Sequence, residues 1–231
     1  MKILALDSSA LVASVALCED EKVLAEYTLN NGNTHSETLL PMIENVLSAV
    51  SLTVADIDIF AVSEGPGSFT GVRIGVATVK GLAFSSCKPC IGVSTLEALA
   101  YNLSMHKGII VPVMNARRSQ VYTAVFESDG NKLKRLLPDS AMAISELDGL
   151  LCKYDSDICL CGDGYDISIE GFEKTRVCYV PDRLRLQSGA SVATVALEKY
   201  KKGENGTDRE LGVQYLRPSQ AERERAEREG K

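Results

Sequence analysis

The run Glu64-Gly65-Pro66-Gly67-Ser68-Phe69-Thr70-Gly71-Val72-Arg73-Ile74-Gly75 constrains this chain more than any other. It joins an apolar, strand-like run (Ile57 to Ser63) to a helix-forming run (Thr70 to Ser86). Gly65, Gly67 and Gly71 lack the Cβ atoms that would hold another backbone or an anion away from the turn. Ser68 and Thr70 place hydroxyls at the helix start, where unpaired N–H groups and the positive dipole end favour acceptors. No Gly-Lys-Ser/Thr closes the loop and the dinucleotide spacing is absent, so it is neither a Walker loop nor a dinucleotide fingerprint. Two readings stay open. The loop shapes the start of the second helix, or Gly65, Gly67, Ser68, Thr70, Gly71 and Arg73 contact an anion.

Three β-rich runs precede it: Lys2 to Asp7, Leu11 to Cys18 and Lys22 to Leu29, separated by polar turns. Thr34-His35-Ser36-Glu37 reads as a capping box opening a helix to about Val50. Ile91 to Val93 is a short strand, and Ser94-Thr95-Leu96-Glu97 a second capping box opening a helix to about Met105. The order β-β-β-α-β-α-β-α is that of one lobe of the actin-like ATPase superfold. The remainder reads as a weaker copy: strands Gly108 to Asn115, Gln120 to Glu127 and Lys132 to Leu137, a helix around Ser145 to Tyr154, a strand Asp157 to Cys161, and a long helix Ser188 to Lys202. The fold class expected is α/β, with two lobes each of a mixed sheet and packed helices. The lobes are expected at 1–106 and 107–212, followed by a charged segment, 213–231. Its last residues alternate Glu and Arg, with Arg223–Glu227, Glu224–Arg228 and Arg225–Glu229 at the spacing of helical ion pairs.

A chain of 231 residues buries roughly 70% of its unfolded surface, so it needs no metal or disulfide to hold a core. The formal net charge of −6 argues against a stand-alone nucleic-acid binder. Lys2 to Asp7 reaches a carboxylate too soon for a secretory leader, and no apolar run is long enough for a bilayer, so the expectation is cytoplasmic with no membrane partner. Seven cysteines in largely apolar surroundings suit reduced, buried thiols. Cys87-Lys88-Pro89-Cys90 has redox-pair spacing but falls at a helix C-terminus, where the dipole disfavours a thiolate; it reads as a turn.

Two helices carry more apolar surface than one sheet face requires. Leu39, Leu40, Met42, Ile43, Val46, Leu47 and Val50 spread over roughly 160° of the first. In the second, Gly71, Val72, Ile74, Gly75, Val76, Ala77, Val79, Leu82 and Ala83 leave only a narrow polar stripe with Arg73 and Lys80. Gly71, Gly75 and Ala83 would admit a neighbouring helix. Either a partner subunit or the second lobe covers the excess.

Reactive constellations are sparse. The turn after Asp7 is Ser8-Ser9-Ala10, without the glycine a phosphate-wrapping hairpin uses. His35 has Leu39 where a second helical metal ligand would stand, and His106 is isolated. Ser68 is flanked by Pro66 and Thr70 where a nucleophile elbow needs glycines. No catalytic residue and no metal ligand set is expected. Arg117, Arg118 and Tyr122 read first as exposed strand-edge residues, with lining a lobe cleft as the other reading.

Leu4-Ala5-Leu6-Asp7-Ser8-Ser9, His35-Ser36-Glu37, the glycine string and Tyr215-Leu216-Arg217…Ala221-Glu222 together resemble the TsaB (YeaZ) family, along essentially the whole chain. Asn115-Ala116-Arg117-Arg118…Val121-Tyr122 matches a further family segment, which usually carries an aspartate where this chain has Asn115. The resemblance implies a non-catalytic, cofactor-free dimerisation subunit of the machinery that transfers threonylcarbamoyl to adenosine 37 of tRNAs reading ANN codons. It implies a heterodimer with a TsaD-like catalytic subunit, a homodimer when alone, a TsaE-like ATPase in the assembly, and tRNA met only through the complex. The expected contact residues are Leu39, Leu40, Ile43, Val46, Leu47, Val72, Val76 and Val79. The alternative is a nucleotide-dependent transferase or phosphotransferase of the same superfold with its own active site.

Overall fold

A computed structural model describes residues 1–217. The first half runs β1 (Lys2–Asp7), β2 (Ala13–Glu19), β3 (Lys22–Leu29), α1 (His35–Ala49), β4 (Ile59–Gly65), α2 (Phe69–Ser86), β5 (Cys90–Ser94) and α3 (Thr95–Tyr101). The second runs β6 (Lys107–Asn115), β7 (Gln120–Asp129), β8 (Leu133–Ala143), α4 (Ile144–Leu151), β9 (Ile158–Cys161), α5 (Tyr165–Gly171), β10 (Val177–Cys178) and α6 (Gly189–Lys201).

The sheets have the same topology. One is ordered β3-β2-β1-β4-β5, the other β8-β7-β6-β9-β10. In each, the first three strands pair antiparallel and the last two extend the sheet in parallel. β1 and β4 read as continuous apolar runs because both of their faces are covered, as central parallel strands require. α1 and α2 cover one face of the first sheet, packing Leu39, Val46, Val72 and Val79 on Leu4, Leu6, Phe60 and Val62. This duplicated order is the actin-like two-lobe fold.

The lobes are not divided as the chain order suggests. α6 returns to the first sheet, laying Val192, Val195 and Ala196 on Ile3, Ala5 and Ile59. α3 bridges the two sheets, packing Leu96 and Leu99 with Ile110 and Phe126 of the second while Ala98 joins the core of the first with Ala5 and Ile91. Residues 107–212 are therefore not a self-contained lobe, since the apolar stripe of α6 has its partner strands in 1–106. Segment 213–231 is described only to Arg217; the Glu/Arg pairs and Ala221-Glu222 lie outside the described residues.

Local expectations needed other corrections. Thr34 is the N-cap of α1, but its side chain makes no capping bond; its carbonyl takes the Glu37 amide and the Thr38 hydroxyl instead. Thr34 and Glu37 are both solvent-exposed, where water competes for their side chains. Ser94 does cap α3, accepting from Glu97 N at 3.2 Å, while Glu97 turns to Arg135 rather than back to the cap. α3 ends at Tyr101 rather than near Met105. All seven cysteines are free; Cys87 is an exposed left-handed C-cap and Cys90 lies buried in β5. No helix of the described residues is long and apolar enough to cross a membrane.

Candidate functional site

Asp7, at the end of β1, is buried with its acceptors occupied. Ser9 donates to Oδ1 through its amide (2.9 Å) and hydroxyl (2.7 Å), and Ser63 donates to Oδ2 at 2.5 Å. Burial pushes the carboxyl above its ordinary range, against those same hydrogen bonds. The glycine loop then closes over the turn. Ser68 N–H donates to the Ser9 carbonyl at 2.7 Å, and Ser8 Oγ donates to the Gly71 carbonyl at 2.9 Å. A Cβ on Gly67 or Gly71 would run into the Ser9 or Ser8 carbonyl. The glycines thus admit the chain's own β1–β2 turn into the space in front of Asp7. His35 Nε2 pairs with the Ala10 carbonyl at 2.6 Å and completes the closure.

Arg73 is engaged from a distant part of the sequence. Its Nε donates to Tyr215 Oη at 2.5 Å, and its guanidinium stands 5.3 Å from the Phe69 ring centre. Phe69 and Tyr215 stack with centroids 4.4 Å apart. Gln214 N–H donates to the Glu64 carbonyl and its amide to Glu64 Oε1, so residues 211–217 form a strap across the start of α2. Arg217 carries the strap on to the Ala116 carbonyl. Of the proposed anion contacts, Ser68 is the helix N-cap and Arg73 belongs to the strap; Thr70 is exposed.

The expected contact residues lie differently from the sequence reading. Leu39, Ile43, Val46, Leu47, Val72, Val76 and Val79 are all enclosed in the chain's own core. Only Leu40 is exposed, at 54%. Gly71, Gly75 and Ala83 are likewise turned inward. The apolar arc that looked excessive faces the sheet, because two helices packed side by side also bury their flanks against each other. The outward face of the pair is another set: Leu40 on α1, and Arg73, Ala77, Gly81 and Phe84 along α2, with Phe84 73% exposed. Its spacing of three and four residues was legible in the sequence, hidden by the stronger inward stripe.

In the second lobe, Asn115, Arg117, Arg118 and Ser119 form the β6–β7 turn. Asn115 Oδ1 accepts from Arg117 N, and Asp163 Oδ1 accepts from Asn115 N. Asp163, which the sequence did not single out, is exposed as a residue, yet desolvation of its carboxyl by the surrounding chain pushes it up from its ordinary value, opposed by the Asn115 amide, with Asp7 adding to it. Among the described residues, no group of three or more His, Cys, Asp or Glu is placed to hold a metal ion.

Residues 22–221 match the family model described as TsaD, tRNA N6-adenosine threonylcarbamoyltransferase. The tRNA threonylcarbamoyladenosine biosynthesis protein TsaB of Bacillus subtilis (strain 168) is 35% identical over 162 residues, 70% of this chain and 71% of that protein. The chain belongs to the TsaB family of tRNA threonylcarbamoyladenosine biosynthesis proteins. The Escherichia coli (strain K12) TsaB is 38% identical over 133 residues, 57% of each chain. The solved structure of YeaZ from Pseudomonas aeruginosa superposes with a TM-score of 0.82 at 25% identity, covering 93% of this chain and 99% of that one. The match to the TsaD model spans both lobes of this chain rather than one half.

Proposed function

We propose that this chain is a non-catalytic subunit of threonylcarbamoyladenosine formation, acting by docking on a TsaD-like catalytic subunit. The same surface joins two copies when the chain is alone, and a TsaE-like ATPase completes the assembly; tRNA is met only within it. The docking surface is the outward face of α1 and α2, not the inward residues.

The observation that carries this reading is Gly81. It lies in the middle of α2, exposed, and a Cβ built there meets nothing within 4 Å. A mid-helix glycine costs about 1 kcal/mol against alanine, and nothing in the monomer explains it. Ala77 and Gly81 are exposed one turn apart on α2, next to the exposed Phe84, a strip of small residues fit for a second helix at close range. The absence of catalysis is supported by the filled space at Asp7, where the glycine loop packs on its own turn.

Size-exclusion chromatography with light scattering, alone and mixed with the TsaD-like subunit, tests the reading. Phe84→Glu should abolish both assemblies with the fold unchanged by circular dichroism; retained co-elution overturns the docking face. Mg-ATP turnover by the chain alone would instead favour the transferase or phosphotransferase alternative.

A further inference from the structure

The two sheets share one topology, and the packing against the first hairpin turn of each lobe can be set side by side. In the first lobe, α2 presses Gly71 and Gly75 onto the β1–β2 turn and α1 begins against it through His35. In the second, α4 begins against the β6–β7 turn in the same way, Ile144 N–H donating to the Ser119 carbonyl at 3.1 Å. α5, the counterpart of α2, packs its Gly171 on Ile144 instead of on the turn. The space that the first lobe fills with glycine contacts is left as a cavity of about 810 Å³.

The chemistry of its walls is polar. Arg117, Arg118 and Ser119 supply the rim, all three with left-handed backbone (φ 62°, 55° and 54°). That conformation costs about 1–2 kcal/mol per non-glycine residue, and such strain concentrates at ligand sites. Arg117 has no side-chain partner among the described residues. Gln120 in the wall has a buried Oε1 without a hydrogen-bond partner, against the rule that buried polar atoms are paired. α4 opens into the cavity without a side-chain cap. Glu170 faces this cationic rim across the space and would repel a bare anion.

We propose that this cavity binds a ribonucleotide unit, the phosphate against Arg117 and Ser119 and the ribose hydroxyls against Glu170 and Gln120. An anion that also donates hydrogen bonds satisfies both walls; phosphate alone satisfies one. The assignment rests on the RNA-modification reading only for the source of the nucleotide, a strand segment or a free mononucleotide. It needs no contact of the α1–α2 face.

Titration calorimetry on the full chain at low salt tests it with AMP, deoxy-AMP, inorganic phosphate, a short oligoribonucleotide and its DNA counterpart. AMP or the oligoribonucleotide should bind, the deoxy forms several-fold weaker, and Arg117→Glu should weaken binding at least about tenfold, the loss of a charge-assisted hydrogen bond. The oligoribonucleotide binding more tightly than AMP identifies a strand as the source, and the reverse a mononucleotide. Equal binding of ribo and deoxy forms, phosphate binding as tightly as AMP, or affinity unmoved in Arg117→Glu overturns the assignment. Arg117→Gln replaces it if the charge reversal unfolds the turn. Co-elution of Arg117→Glu with the TsaD-like subunit separates the outcomes: if pairing holds while nucleotide binding is lost, the docking reading stands whatever the fate of this one.

Discussion

Gly75 is held so close to Ser8 that a Cβ on it would meet Ser8 Oγ at 2.5 Å. One turn earlier, a Cβ on Gly71 would strike the Ser8 carbonyl. α2 therefore lies against the β1–β2 turn at backbone distance, and the turn cannot open toward α2 to admit another group.

Alanine at either glycine should cost about 1–3 kcal/mol, the penalty of overpacking. The two should differ in rescue. Ser8→Ala removes the hydroxyl that obstructs Gly75→Ala and should recover much of its loss, but it leaves the carbonyl that obstructs Gly71→Ala. Denaturant midpoints of the single and double variants decide this; equal rescue at both positions would contradict the geometry.

The strap gives a second test. Phe69 and Tyr215 stack face to face with Arg73 beside both rings, joining the start of α2 to a segment near the end of the described chain. A double-mutant cycle between Phe69→Leu and Tyr215→Leu should return a coupling of about 0.5–1.5 kcal/mol, the usual worth of an aromatic pair beyond its buried area. Limited proteolysis should then cut first within residues 211–217. A coupling near zero would mean that the strap is anchored by Leu211, Gln214 and Arg217 without the ring stack.

A third test concerns pH. Asp148, buried in α4, accepts the amides of Glu173 (3.1 Å), Lys174 (3.1 Å) and Thr175 (2.8 Å). Burial alone would raise its carboxyl, but hydrogen bonds from Thr175, Glu173 and Lys174 outweigh it and hold it below its ordinary value. A lowered folded value means the ionised group stabilises the fold above the unfolded pKa of about 4, and this contribution is lost as pH falls through the folded value. Asp148→Asn should therefore cost about 1–3 kcal/mol at pH 7, with the gap to the unsubstituted chain narrowing as pH falls below about 4. Urea unfolding across that range measures it; a gap independent of pH would remove the charge from the explanation.

How much of this was legible in the sequence depends on the range of the interaction. β3 was placed to the residue, and α2 to within one, because alternation, glycine punctuation and the Ser68 cap are all local. α5 and β10 were missed because seven and two residues are too short to show a period. The destination of α6 was hidden for a different reason. Its valines and alanines would suit either sheet, and only assembly puts them on β1 and β2. The same ambiguity holds for Val72, Val76 and Val79, which the chain's own core encloses: an apolar stripe says that a helix face is covered, not by what. Arg73, read as a loop cation, gave no local sign of Tyr215, its partner across most of the chain.

The outward face yields the prediction on which the functional reading turns. Because Gly81 has open space where a side chain would go, Gly81→Ala should relieve the helix of a poor former at no steric cost. The isolated chain should gain up to about 1 kcal/mol, raising its melting temperature by about 2–4 °C at this size. If the empty strip exists for a neighbouring helix, the same methyl should weaken pairing with the TsaD-like subunit, and Gly81→Leu should prevent it. Stability and affinity would then move in opposite directions, which no effect confined to the monomer produces. Gly81→Ala gaining stability while Gly81→Leu pairs at full strength would show that the partner docks elsewhere.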